Sequence, residues 1–152
     1  MRYLSFLIED REFGIPLTQV REVIAFPEIS SMPNMSKHFL GITNLRDQII
    51  PILDLRLKFK AVQTLTHETA VIICKLEKGQ VGIVVDCIHG VSTPATNEIL
   101  PMEHLQGEEG NASPVNMVVM REGKLCLIVD VMRTLSVQEL DVSAFDGIKS
   151  VA

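Results

Sequence analysis

Along the chain, apolar residues gather in short β-branched runs broken by polar turns. Tyr3 to Glu9 returns through Asp10 and Arg11 into Glu12 to Leu17, and Ala70 to Glu77 returns through Lys78 and Gly79 into Gln80 to Asp86. Runs of this length with turn residues between them predict hairpins. Two more follow. Gly41 to Leu45 returns through Arg46-Asp47-Gln48 into Ile49 to Leu53, and Asn116 to Met120 returns through Arg121-Glu122-Gly123-Lys124 into Leu125 to Asp130. Ile49 to Leu55 and Leu125 to Val131 are apolar on both faces, as central strands are, with Pro51 expected at an edge or bulge because it lacks a ladder donor.

The hairpins belong to an internal repeat. A shift of 68 residues lays Tyr3–Glu9 over Val71–Glu77 and Phe13-Gly14-Ile15 over Val81-Gly82-Ile83, and it sets Val20 and Val23 over Ile88 and Val91. A shift of 76 lays Ile49, Ile50, Ile52, Leu53, Asp54 and Leu55 over Leu125, Cys126, Ile128, Val129, Asp130 and Val131. The change of offset implies eight extra residues in the second copy, placed within Thr96 to Ser113. Short strands at this spacing, given twice, predict an all-β chain of two small barrels or a sandwich. It reads as one domain over residues 1–152, with repeat units of about 1–66 and 67–135, strands free to exchange between them, and a closing segment over 136–152.

Helix signals are sparse. Val20, Val23 and Ile24 after Pro16 predict a two-turn helix over Thr18 to Phe26, while the counterpart Cys87 to Val91 carries Gly90 and reads as extended. A short turn is expected near Ser36 to Leu40. Ser136-Val137-Gln138-Glu139 has the capping-box pattern, so a C-terminal helix is expected from Val137.

The 152 residues are 47% hydrophobic, enough for a folded core, and 14 Lys and Arg against 19 Asp and Glu leave a net charge of −5 with no Trp and one Tyr. A nucleic-acid surface needs clustered positive charge and stacking rings, so nucleic acid is excluded as a partner. The longest stretches without a charged residue, Cys87 to Asn97 and Gly110 to Met120, have 11 residues against the roughly 20 that a spanning helix needs, so no membrane insertion is expected. The amino terminus meets Glu9, Asp10 and Glu12 too soon for a secretory signal, which points to the cytoplasm. Cys74, Cys87 and Cys126 lie in apolar runs and read as reduced, buried thiols.

Catalytic and cofactor chemistry finds no footing. His38, His67, His89 and His104 have no ligand partners at metal spacing, the glycines form no phosphate loop, and no nucleophile elbow is present, so neither a cofactor nor a metal is expected. Asp54 and Asp130 stand at the same place in both units. That placement suits an acid accepting backbone hydrogen bonds where a strand ends; the competing reading is a small β-barrel hydrolase using the two carboxylates. Arg56, with Lys58 and Lys60, reads as a solvated face.

The most specific stretch is Gly41-Ile42-Thr43-Asn44-Leu45-Arg46-Asp47-Gln48-Ile49-Ile50-Pro51-Ile52-Leu53-Asp54-Leu55-Arg56. With Phe13-Gly14-Ile15 and Val20-Arg21-Glu22-Val23 before it and Val81–Asp86 after it, the chain resembles the CheW family of chemotaxis coupling proteins over roughly Tyr3 to Leu135. The resemblance implies two SH3-like five-stranded barrels and a non-enzymatic adaptor. Such an adaptor would join chemoreceptor cytoplasmic tips to the regulatory domain of the histidine kinase CheA, recruited from the cytoplasm to receptor arrays at the inner face of the membrane. A twitching-motility or developmental chemosensory system would use the same role with other partners. By the same resemblance Arg46 is the arginine of an Asn-Leu-Arg-Gly motif with Glu22 as its partner, and Val20, Asn44, Leu45 and Asp47 belong to the receptor side. Asp47 stands where the family has Gly. A positive φ is required there, which Asp tolerates, and Gly123 fills the equivalent turn of the second unit as a structural residue. Asp47 also places an acid beside Arg46, where it would compete with Glu22.

Overall fold

The computed structural model describes residues 1–102 and 113–135. The predicted closing helix and His104 lie outside them. Eleven strands follow in order: β1 (Tyr3–Ile8), β2 (Arg11–Pro16), β3 (Val20–Ala25), β4 (Phe39–Leu45), β5 (Gln48–Asp54), β6 (Ala70–Leu76), β7 (Gly79–Val85), β8 (Cys87–Ser92), β9 (Ile99–Pro101), β10 (Val115–Arg121) and β11 (Lys124–Val129). One-turn helices α1 (Leu55–Lys58) and α2 (Val131–Thr134) follow β5 and β11. The strands form two SH3-like barrels, one built on the order β3-β6-β7-β5-β4 and the other on β8-β1-β2-β11-β10-β9. Each therefore draws strands from both halves of the chain. In the second barrel β9 is a strand of its own, and its counterpart in the first shrinks to the isolated bridge Ser30–Ile42.

The repeat carries through to the ladders. β5 runs parallel to β7 with Ile52 opposite Gly82, and β11 runs parallel to β2 with Ile128 opposite Gly14, which are the same two pairs under the two offsets. The hairpin β4–β5 turns through Arg46 (φ 49°) and Asp47 (φ 66°), and β10–β11 through Glu122 (φ 54°) and Gly123 (φ 76°). Positive φ at both central residues is the type I′ conformation, whose twist matches that of the flanking strands. No atom lies within 4 Å of a Cβ built on Gly123. Gly123→Val is therefore expected to destabilise through backbone strain alone, by about 1–3 kcal/mol. An unchanged denaturant midpoint would refute the turn assignment.

Two expectations are corrected. Thr18 to Phe26 is not a helix: one 3-10 turn, Leu17–Gln19, leads into β3, which pairs with β6 from Val20 opposite Cys74 to Ala25 opposite Ala70. Its burial alternates residue by residue, and β-branched Val20, Val23 and Ile24 suit a paired strand better than an isolated helical turn. Pro51 is neither at an edge nor at a bulge but inside β5, opposite Ile42. It is tolerated because Ile42 directs its own N–H and C=O to Ser30, and the ladder between β5 and β7 begins only at Ile52.

The largest core lies where the two barrels meet and takes Leu4, Phe6, Phe13 and Ile15 from one sheet and Leu53, Ile72, Ile83 and Val85 from the other. Each barrel also has its own smaller core, around Ile50, Ile52, Val71, Ile73 and Val84 in the first and Tyr3, Val119, Cys126 and Ile128 in the second. Burial pushes the Cys74 and Cys126 thiols up to about 12. An unfolded chain releases these protons near 9 while the native one keeps them, so stability falls as pH rises from 9 towards 12, by about 1.4 kcal/mol per pH unit for a fully buried thiol such as Cys74. Urea midpoints at pH 8 and pH 10.5 should show the decline, and Cys74→Ala should reduce it.

Candidate protein-binding surface

The order of the first barrel puts β3 and β4 at opposite edges of one sheet, so the sheet must curl for them to meet. It does. Ser30 and Ile42 exchange both backbone hydrogen bonds, at 2.9 and 2.8 Å, and the Arg46 guanidinium pairs with the Glu22 carboxylate at the end of the same seam. Arg46 is 67% exposed and Glu22 26%. An exposed pair of this kind contributes ~0–1 kcal/mol, so its consequence is orientation: it holds a cation out on a turn that its φ angles already fix.

A polar chain runs beside the pair. Arg21 Nη1 donates to Gln80 Oε1 at 2.9 Å, and Gln80 Nε2 donates to Gln48 Oε1 at 3.0 Å. With Glu22, Leu45, Arg46 and Ile50 these residues line a shallow cavity of about 210 Å³. Of the residues expected on the receptor side, the fold thus gathers Glu22, Leu45 and Arg46, with Asn44 exposed on β4 and Asp47 exposed on the turn. Val20 packs against the core between the barrels, outside this cavity. Arg21, Gln48 and Gln80 were not singled out from the sequence. Their signal was their position beside Glu22 and just after two hairpin turns.

The second barrel presents the same backbone with other chemistry. Under the offsets, Arg46 becomes Glu122, Glu22 becomes Gly90, Leu45 becomes Arg121, Gln48 becomes Lys124, Arg21 becomes His89 and Gln80 becomes Glu12. These second-barrel residues line a cavity of about 380 Å³ that reaches Tyr3, Ser5 and Cys126. Arg121 is turned to Glu98, with Nε 3.2 Å from Oε2, and to the Thr93 carbonyl at 3.0 Å, while His89 lies 3.5 Å from Glu12. One fold therefore shows two dissimilar end surfaces.

Asp54 and Asp130 are helix caps. Asp54 Oδ1 accepts from the Arg56 N–H at 2.9 Å, and Asp130 Oδ1 accepts from the Met132 N–H at 2.8 Å. Arg56 corrects the solvated-face reading. It is 4% exposed, with Nε and Nη2 forked onto both Asp54 oxygens at 3.0 and 3.1 Å and Nη1 on Asp86 Oδ1 at 3.1 Å and on the Thr64 carbonyl. Burial alone would lower its pKa, but the hydrogen bonds to Asp54 and Asp86 outweigh that and raise it. Asp54 Oδ1 thus accepts from the Arg56 N–H and Nε and Oδ2 from Arg56 Nη2 and Gln63 Nε2, so its four acceptor positions are taken and the hydrolase reading loses one of its two acids. Among the described residues no three His, Cys, Asp or Glu side chains are grouped to hold a metal, and no helix is long and apolar enough to cross a membrane.

The chain is a pair of SH3-like barrels on one shared core, each ending in a charged turn surface. Comparison with known proteins gives it a family. The CheW-like domain family matches residues 2–139. The chemotaxis protein CheW of Klebsiella aerogenes is 29% identical over 140 residues, 91% of this chain and 83% of that protein. CheW of Bacillus subtilis is 26% identical over 130 residues, with 85% and 83% covered. The crystal structure of the scaffolding protein TtCheW from Thermoanaerobacter tengcongensis superposes with a TM-score of 0.79 at 23% identity over 91% of this chain and 94% of that one, and shares the fold. The chain belongs to the CheW-like family, the non-enzymatic scaffold proteins of chemotaxis signalling.

Proposed function

We propose that this protein couples chemoreceptor cytoplasmic tips to the regulatory domain of the histidine kinase CheA, working in the cytoplasm at receptor arrays on the inner face of the membrane. Family membership supports the role, and one observation carries it: a single fold, given twice on a shared core, ends in two surfaces lined by different side chains, Arg21, Glu22, Arg46, Gln48 and Gln80 on one and Glu12, His89, Arg121, Glu122 and Lys124 on the other. Two unlike surfaces on one body can hold two unlike partners at once. Joining them raises each partner's effective concentration for the other without any chemistry on a substrate. Glu22, Leu45, Arg46 and the exposed Asn44 and Asp47 form the receptor side in this reading.

The test is capture of the purified protein by a receptor cytoplasmic fragment and, separately, by the CheA regulatory domain. Binding to both is expected. Binding to neither overturns the adaptor role.

A further inference from the structure

Two crossovers carry the chain from one barrel to the other between paired hairpins, and they are pinned differently. At the first, Leu17–Gln19, the Leu17 N–H donates to the Arg2 carbonyl at 2.9 Å and the Gln19 side chain accepts from the Val131 N–H at 3.1 Å, with no charged group taking part in either bond. At the second stands Asp86, between β7 and β8. Its N–H donates to the Leu7 carbonyl at 3.0 Å, its Oδ2 accepts from the Glu9 N–H at 2.6 Å, and its Oδ1 takes Arg56. Leu7 and Glu9 belong to the β1–β2 hairpin of the second barrel, whereas Asp54, at the other end of the Arg56 fork, closes β5 of the first. A continuous polar clasp of Glu9, Asp86, Arg56 and Asp54 therefore spans the two barrels. Among the described residues the other half of the repeat shows no such clasp: Met132 stands at the place of Arg56 and is 39% exposed, and Thr18 stands at the place of Asp86.

We propose that Arg56 is a positioning residue that fixes the angle between the two barrels, and with it the relation between the two binding surfaces. The shared core of Leu, Ile, Val and Phe side chains holds the barrels together, but apolar burial is non-directional and tolerates sliding. A planar guanidinium forked onto one carboxylate and reaching a second is directional and does not. Well-packed apolar groups of similar volume often replace a buried ion pair without loss of stability, so stability alone does not account for one set between two barrels. That the fixed angle serves coupling rests on the adaptor reading; that Arg56 fixes it does not.

The test compares the parent with a neutral triple variant, Asp54→Asn, Arg56→Met and Asp86→Asn, and with Arg56→Lys. Asn at the cap keeps an acceptor for α1. Spin labels at Lys78→Cys in the first barrel and Asn97→Cys in the second, in a Cys87→Ser background, report the inter-barrel distance distribution. The neutral variant is expected to melt close to the parent yet to broaden that distribution at least twofold. Arg56→Lys keeps a cation that cannot fork between two carboxylates, so it too should broaden the distribution, which a merely charge-balancing role would not allow; it also answers the question should the neutral variant fail to fold. Each separate contact, with a receptor fragment or with the kinase regulatory domain, should stay within twofold, while capture of the kinase domain on receptor through the protein falls tenfold or more. Unchanged distributions in folded variants would overturn the proposal. Should the distributions broaden while the parent binds neither partner, the positioning role stands and the adaptor reading falls.

Discussion

Gly41→Ala is expected to open the seam of the first barrel and to cost about 3 kcal/mol. Gly41 has φ 151°, and a Cβ built there would lie 2.1 Å from the Ser30 carbonyl oxygen and 2.7 Å from its carbon. Those are backbone atoms and cannot rotate aside. The same Ser30 carbonyl accepts the Ile42 N–H, and Thr43 Oγ1 donates to the Glu28 carbonyl at 2.8 Å one residue further along, so any movement of Ser30 unfastens the bonds that close the barrel. Strain at a forbidden φ costs about 1–3 kcal/mol and forced displacement of packed neighbours about as much again. For a chain of this size each kcal/mol lowers Tm by about 2–4 °C, so a fall of roughly 6–12 °C is expected. Gly90→Ala is the control, since nothing lies within 4 Å of its Cβ, and it should change stability by less than about 0.5 kcal/mol. Thermal melts of the two variants that coincide would show that the seam does not depend on Gly41.

How far the sequence led can be seen in the offsets. The shift of 76 that aligned Ile49–Leu55 with Leu125–Val131 also carries Phe39–Leu45 onto Val115–Arg121 and Leu55–Lys58 onto Val131–Thr134, so element bounds in one half give those in the other. Both capping aspartates and both turn positions at positive φ were legible for the same reason, because caps and turns are set by residues two to four apart. The repeat could also have prevented the misreading of Thr18 to Phe26. Its counterpart Cys87 to Val91 reads as extended, and a segment that is a strand in one copy of a repeat is expected to be a strand in the other.

What local pattern could not supply was long-range pairing. Val20 to Ala25 becomes a strand because β6, some fifty residues on, offers it a ladder, and Arg56 becomes buried because Asp86 and Thr64 close over it. Alternation with Lys58 and Lys60 made Arg56 look like part of a wetted face. A guanidinium two residues after a capping acid, in a chain with a second acid waiting at a crossover, is the pattern that would have shown the clasp. The pairing of Glu22 with Arg46 was legible through the resemblance alone. Glu22 and Arg46 are 24 residues apart and meet only because the sheet curls, so the resemblance to a family supplied what spacing could not.

Arg46→Glu is expected to abolish the contact made by this surface while leaving the protein folded. The side chain is two-thirds exposed, and the turn that carries it is set by backbone conformation at Arg46 and Asp47 rather than by the ion pair. Loss of the exposed pair should therefore change stability by less than about 1 kcal/mol. Binding is another matter. Reversal removes the cation held out beside the 210 Å³ cavity and sets a new carboxylate against Glu22 and next to Asp47, so three acids crowd one surface. A partner that presents an acid to Arg46 would then meet like charge, at a cost of several kcal/mol. A micromolar contact is worth about 8 kcal/mol, and each 1.4 kcal/mol lost weakens it tenfold, so the complex should disappear from any pull-down at micromolar concentration. Arg46→Lys separates the two contributions: it restores charge without the fork and should recover part of the binding. Melting temperature and capture by the receptor fragment and by the kinase regulatory domain, measured side by side, decide it. A folded Arg46→Glu variant that binds both partners like the parent would show that Arg46 is only a surface charge, and a variant that fails to fold would show that the seam of the first barrel depends on its pairing with Glu22.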